Sequence, residues 1–142
     1  MSYTTFYESS LAEYSPEERE RRGVYYTPLP VVRYIVRAVD RLLREWFGLG
    51  DGLADKQVTL LDPAAGTLTF VIEAIRHALD TYAKQYGKGA VETLIRNHIL
   101  KNFYAFELLM APYVIGHLHI GHFLQEEATL NSKKASVLNK VR

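Results

Sequence analysis

Cysteine is absent from the 142 residues. That removes disulfides, thiolate metal sites and cysteine nucleophiles together. Long apolar runs are missing too, and nothing approaches the ~20 residues that a membrane helix needs. The opening "MSYTTFYESS" has no basic region followed by an apolar stretch, so it does not read as a signal peptide. Neither sign of charge dominates. Lysine and arginine number 17 against 16 aspartates and glutamates, for a net charge of +1. That balance argues neither for nor against nucleic acid, because binding needs a local patch and not a total. There is no phosphate-cradling Gly-Lys-Ser/Thr loop, no supported Ser/His/Asp arrangement, no internal repeat and no low-complexity segment. What is present is a chain 48% hydrophobic and 23% charged, long enough to bury a core. The composition leads us to expect a soluble, cytoplasmic protein with no membrane contact.

Hydrophobic period and turn residues divide the chain. "YSPEERERRG" reads as a short helix, with Ser15 as N-cap, Pro16 in the first turn, Glu18 closing a capping box and Gly23 ending it. "VYYTPLP" should be extended, since Thr27 and Leu29 each precede a proline. Pro30 then opens a helix whose apolar residues, from Val32 to Phe47, recur at three and four. Its other face carries Arg33, Arg37, Arg41 and Arg44. "GLGDGLADKQ" is a loop. "VTLLD" is apolar without alternation, as in a strand buried on both faces. A helix follows to about Tyr86, "AVETLIRNHIL" is another, "NFYAFEL" is a second buried strand, and a last helix covers roughly residues 111–125. A strand–helix–strand unit with parallel strands is the economical solution. Two strands make a poor sheet, so the pattern looks like the opening of an α/β domain.

The stretch with most chemistry is "LLDPAAGTLTF", where strand gives way to helix. In open α/β sheets ligands bind beyond the carboxyl ends of the strands. Asp62 ends the first strand and Glu107 the second, so both should project into one crevice. Gly66 lets a ligand approach the backbone. The helix start near Thr67 offers unpaired N–H groups and a partial positive charge. A carboxylate after the neighbouring strand suits ribose hydroxyls. These features fit a nucleoside-containing ligand. A plain helix-starting turn would use the same residues.

"RRGVYYTPLPVVRYIV", "LLDPAAGTLTF" and "NFYAFELLMAPYVIGHLHI" resemble three successive motifs of adenine-specific DNA methyltransferases, in particular the methyltransferase part of large single-chain restriction-modification enzymes. The resemblance covers about residues 21–124. It implies a partial Rossmann-like, S-adenosylmethionine-dependent methyltransferase fold, helix-rich, with about two parallel strands. Residues 1–29 would hold the N-terminal helix and the Tyr-Thr-Pro segment, 30–128 the partial cofactor-binding domain, and 129–142 a basic tail. By the same resemblance Tyr26, Thr27 and Pro28 pack on S-adenosylmethionine. Asp62, Pro63, Ala64 and Gly66 form the cofactor loop, with Asp62 facing the methionine amino end. Glu107 holds the ribose hydroxyls and Leu108 borders the adenine. DNA would be the partner, with a target adenine flipped from the duplex.

Two departures from the family pattern bear on function. Leu68 stands where the family has the second glycine of Gly-x-Gly, which implies local strain or a reshaped pocket. The catalytic Asn/Asp-Pro-Pro-Tyr/Phe segment is absent, as is the acidic residue after a third strand. The expectation is therefore a fragment of a longer protein, inactive alone, with no catalytic residue of its own. The alternative is a non-catalytic interaction module with a degenerate pocket, marked by self-association through an exposed sheet edge. A dinucleotide oxidoreductase ranks below both, because Gly-x-Gly-x-x-Gly is missing. "GHLHIGH" tempts toward a metal, but only His119 and His122 have helical ligand spacing, and we expect none. The arginine stripe could make weak phosphate contacts, though a solvated face, with Asp40 pairing to Arg44, is the plainer reading.

Overall fold

The computed structural model describes residues 27–138, with side chains as far as residue 127. The expected helix around Ser15 and the site residue Tyr26 lie outside the described residues. Helix α1 (Leu29–Glu45) starts behind Pro28, whose carbonyl accepts the N–H groups of Val31 and Val32. Pro30 lies in the first turn, where proline's fixed φ fits and its missing N–H would be unpaired anyway. One side of α1 buries Val32, Val36 and Asp40, spaced by four.

A loop with a 3-10 turn at Gly52–Ala54 leads to strand β1 (Leu60–Asp62). Helix α2 (Thr69–Tyr86) buries Val71, Ile72, Ala74, Ile75, Ala78 and Leu79 and ends at Gly87, in the left-handed region at φ +86°. After a 3-10 turn at Lys88–Ala90 come α3 (Val91–Leu94), a π-turn (Ile95–Ile99), and α4 (Leu100–Asn102). Strand β2 (Phe103–Ala105) then pairs in parallel with β1, Leu60 opposite Phe103 and Asp62 opposite Ala105. Helix α5 (Met110–Leu138) closes the described chain. It is longer than the sequence indicated. The core lies where α1, α2 and α3 meet, with Ile75, Val32 and Val91 fully enclosed.

This is the expected helix-rich, partial Rossmann-like arrangement with a two-stranded parallel sheet. One expectation needs correcting. Neither strand is buried on both faces. Leu60 and Phe103 pack on the core, while Leu61 is 56% exposed and Tyr104 and Phe106 are exposed as well. Among the described residues helices cover one face of the sheet only.

Within the π-turn His98 has Nε2 3.1 Å from the Leu53 carbonyl and Nδ1 2.9 Å from Asn102 Nδ2. A buried imidazole needs partners for both nitrogens, and both are present here. No described helix is long and apolar enough to cross a membrane.

Candidate functional site

The carboxyl ends of β1 and β2 are stitched by three cross-links. Phe106 N–H donates to the Asp62 carbonyl at 2.9 Å, and Ala65 N–H donates to the Phe106 carbonyl at 2.9 Å. Gly66 N–H donates to Glu107 Oε2 at 2.8 Å. The other Glu107 oxygen, Oε1, accepts Leu109 N–H at 2.7 Å. Glu107 is thus a clasp between the two strand-end loops, formed by a carboxylate that meets backbone N–H groups. Such charge-assisted bonds are stronger than neutral ones.

The 62–68 loop has the shape its residues dictate. Asp62 Oδ1 accepts Ala64 N–H at 3.2 Å, folding the Asp-Pro turn on itself. Gly66 sits at φ +53°, with open space where a Cβ would be. Leu68 N–H donates to the Ala65 carbonyl at 2.8 Å, and no side chain caps α2. Leu68 itself adopts φ +66°, the one positive φ outside glycine among the described residues. A left-handed residue costs a leucine about 1–2 kcal/mol relative to its relaxed backbone. The Leu68 departure is therefore a real backbone demand.

The expected site residues fall into two hollows. Asp62 and Pro63 line a groove of about 410 Å³ with Ile35, Val39, Leu61 and Phe70, almost wholly apolar. Gly66 and Glu107 line a smaller cleft of about 90 Å³ with Leu68, Tyr113 and His117. The two carboxylates end neighbouring strands, Asp62 on the wall of the first of these hollows and Glu107 on the wall of the second. Ala64 and Pro28 are exposed, Thr27 is half-buried before α1, and Leu108 is 94% exposed.

The other candidates are mostly occupied. Arg33 pairs with Glu73 at 3.2 Å, Arg41 with Glu45 at 2.7 Å, and Arg44 with Asp40 at 2.8 Å. The histidines separate: His117 stacks on Tyr113, His122 lies 3.7 Å from Glu126, and His119 turns inward. Burial holds the His119 pKa below the usual value, nearby Arg76 and His122 add to that, and the Thr67 carbonyl pulls the other way. Among the described residues no group of three or more His, Cys, Asp and Glu could hold a metal.

Sequence reasoning missed the contacts beneath the loop. Gly116 on α5 is buried against it, and a Cβ there would lie 2.9 Å from Leu68 Cγ and 3.3 Å from the Thr67 carbonyl carbon. Its one sequence signal was a glycine inside a helical pattern, which usually marks close packing.

The family model described as N-6 DNA Methylase matches residues 3–104. Two solved structures are similar. One is the nuclease-deletion mutant of the Type ISP restriction-modification enzyme LlaGI in complex with a DNA substrate mimic, at 27% identity and a TM-score of 0.62. The other is the DrdV–DNA complex, at 34% identity and a TM-score of 0.66. The matches cover 74% and 88% of this chain but only 8% and 11% of those chains. No curated protein sequence matches.

Proposed function

The chain belongs to the N-6 DNA methylase family, and from that premise we propose that it is the S-adenosylmethionine-binding portion of an adenine-specific DNA methyltransferase from a restriction-modification or phage-defence system. The parent reaction is methyl transfer to the exocyclic amino group of adenine in DNA. S-adenosylmethionine supplies the electrophilic methyl group when bound. DNA as the partner is supported by the similar structures, one a complex with a DNA substrate mimic and the other a DNA complex.

The observation that carries the reading is the Glu107 carboxylate at the end of β2, facing the open backbone at Gly66. A carboxylate whose partners are rim N–H groups can instead accept two ribose hydroxyls, while the freed Gly66 N–H and the uncapped start of α2 meet the polar parts of the ligand. These residues fit the cofactor. In this reading Asp62 faces the methionine amino group, Pro63 and Ala64 shape the turn, Leu108 offers an apolar surface to adenine, and Tyr26, Thr27 and Pro28 cover the methionine end. The sequence has no Asn/Asp-Pro-Pro-Tyr/Phe segment to hold the target amino group. The 142-residue chain alone is therefore expected to bind without transferring methyl.

One observation favours a second reading, an interaction module with a degenerate pocket. Both Glu107 oxygens are engaged within the chain. Titration calorimetry separates the two. Saturable binding of S-adenosylmethionine and S-adenosylhomocysteine, but not NAD, supports the first reading, and Glu107→Ala should then weaken it by about 1–3 kcal/mol. A folded sample that binds neither ligand favours the second. Binding that is indifferent to Glu107→Ala would remove the ribose role.

A further inference from the structure

Leu68 holds two positions at once. Its backbone ends the ligand loop and opens α2: its N–H closes a turn on the Ala65 carbonyl, and its own carbonyl accepts Ile72 N–H at 2.9 Å. Its φ of +66° is one that leucine adopts only when something compels it. The compelling contact is on α5. Gly116 is buried, and a Cβ built on it would lie 2.9 Å from Leu68 Cγ and 3.2 Å from Cδ1. The leucine side chain therefore occupies the space that any larger residue at 116 would need. One turn further along α5, His119 comes against the Thr67 carbonyl. Two residues before Leu68, the Gly66 N–H is held toward Glu107 at 2.8 Å.

We infer that Leu68 and Gly116 are a size-matched pair of positioning residues, a side chain and a notch on α5 that lock the 65–68 turn and so aim the Gly66 N–H at the ligand. Dispersion contacts in the notch offset the left-handed backbone, because a close-packed side chain gains many small attractions at once. The pairing explains why the loop tolerates leucine at a glycine-like conformation. It also predicts dependence: neither residue can change size without the other. The proposal deepens the cofactor reading and rests on it for the ligand's identity, but not for the loop's geometry.

The test is a double-mutant cycle in the 142-residue chain, using Gly116→Ala, Leu68→Gly and the pair. Two readouts are taken: hydrogen exchange of the Gly66 amide without ligand, and S-adenosylmethionine affinity. With Leu68 present, Gly116→Ala should speed Gly66 exchange and weaken affinity by roughly tenfold, within the usual coupling range for touching residues. In the Leu68→Gly background the same alanine should move both by less than about threefold, because only the Thr67 backbone at 3.3 Å must then yield. Equal effects in the two backgrounds would overturn the pairing. Should Gly116→Ala fail to fold, Leu68→Ala empties the notch while keeping the backbone demand. Faster Gly66 exchange there supports the inference, and unchanged exchange sinks it. Coupling seen in exchange with no ligand binding at all would uphold the pair and reject the cofactor reading.

Discussion

Two carboxylates tie this small domain together, and they do so in opposite ways. Asp40 lies in the core, 5% exposed, with Arg44 Nε at 2.8 Å, the Leu53 N–H at 2.8 Å and His77 Nε2 at 3.2 Å. Glu107 lies at the strand ends with two backbone N–H partners and no cation among its described contacts. Around Asp40 there is no room for anything else: a Cβ on Gly52 would come within 2.1 Å of Asp40 Oδ1. Around Gly66, Glu107's partner, there is open space. A buried carboxylate with a fixed cation is bound to its own protein. A rim carboxylate held by N–H groups alone has bonds that a hydroxyl can replace. The comparison separates a structural tie from a ligand-ready one, although both are acidic side chains joining distant segments.

The largest expected effect tests the first half of that contrast. Asp40→Ala leaves Arg44 and His77 beside an empty pocket and frees the Leu53 N–H, so denaturant unfolding should show a loss of about 3 kcal/mol. Acid should reproduce part of it. Burial pushes the Asp40 carboxyl up, but the bonds from His77, Leu53 and Arg44 outweigh this and bring its pKa from 3.8 to about 2. A depressed carboxylate stabilises the fold above its unfolded pKa. That contribution, about 2 kcal/mol, should fade as pH falls from about 4 toward 2. The Asp40→Ala chain should lack this portion of the acid transition. A variant as acid-sensitive as the parent would show that Asp40 is not the tie.

Glu107→Ala is the matched variant and should cost folding much less. The Gly66 and Leu109 N–H groups it abandons lie at the rim, where water can replace the carboxylate, so thermal unfolding should report about 1 kcal/mol or less. Its effect on ligand affinity should exceed its effect on stability. If the stability loss matched that of Asp40→Ala, Glu107 would be a structural residue and the cofactor reading would lose its main support.

How much of this was legible beforehand follows from the range of each interaction. The first long helix and α2 were legible because their apolar residues repeat at the helical period, and Pro28, Pro30 and Gly87 punctuate them. The strand-to-helix turn was legible from Asp62-Pro63 and Gly66. The Asp40–Arg44 pair was legible from four-residue spacing. What was hidden depends on segments that meet only in the fold. The π-turn carries His98, which reaches Leu53, forty-five residues earlier. Glu107 reaches Gly66 across forty-one residues. Leu68 was visible as a departure, but its seat on Gly116 was not. The strands looked buried on both faces because their composition is apolar, and composition does not say which faces the rest of the chain covers.

The smallest expected effect sets the scale for the others. Arg41 and Glu45 form an i,i+4 pair at 2.7 Å, as short as any carboxylate bond among the described residues, yet both side chains are mostly in solvent. Water already screens the charges, and holding two long side chains in place costs entropy that the contact barely offsets. Arg41→Ala should therefore shift unfolding by no more than ~0.5 kcal/mol. Measured beside Asp40→Ala, it compares two arginine–carboxylate pairs of nearly equal length on one helix, one in solvent and one buried with the Leu53 N–H and His77 as further partners. A loss for Arg41→Ala approaching that for Asp40→Ala would mean that distance governs these ties. A loss several-fold smaller would mean that burial with a full set of partners does, and the same rule then leaves the rim carboxylate Glu107 free to exchange its partners for a ligand.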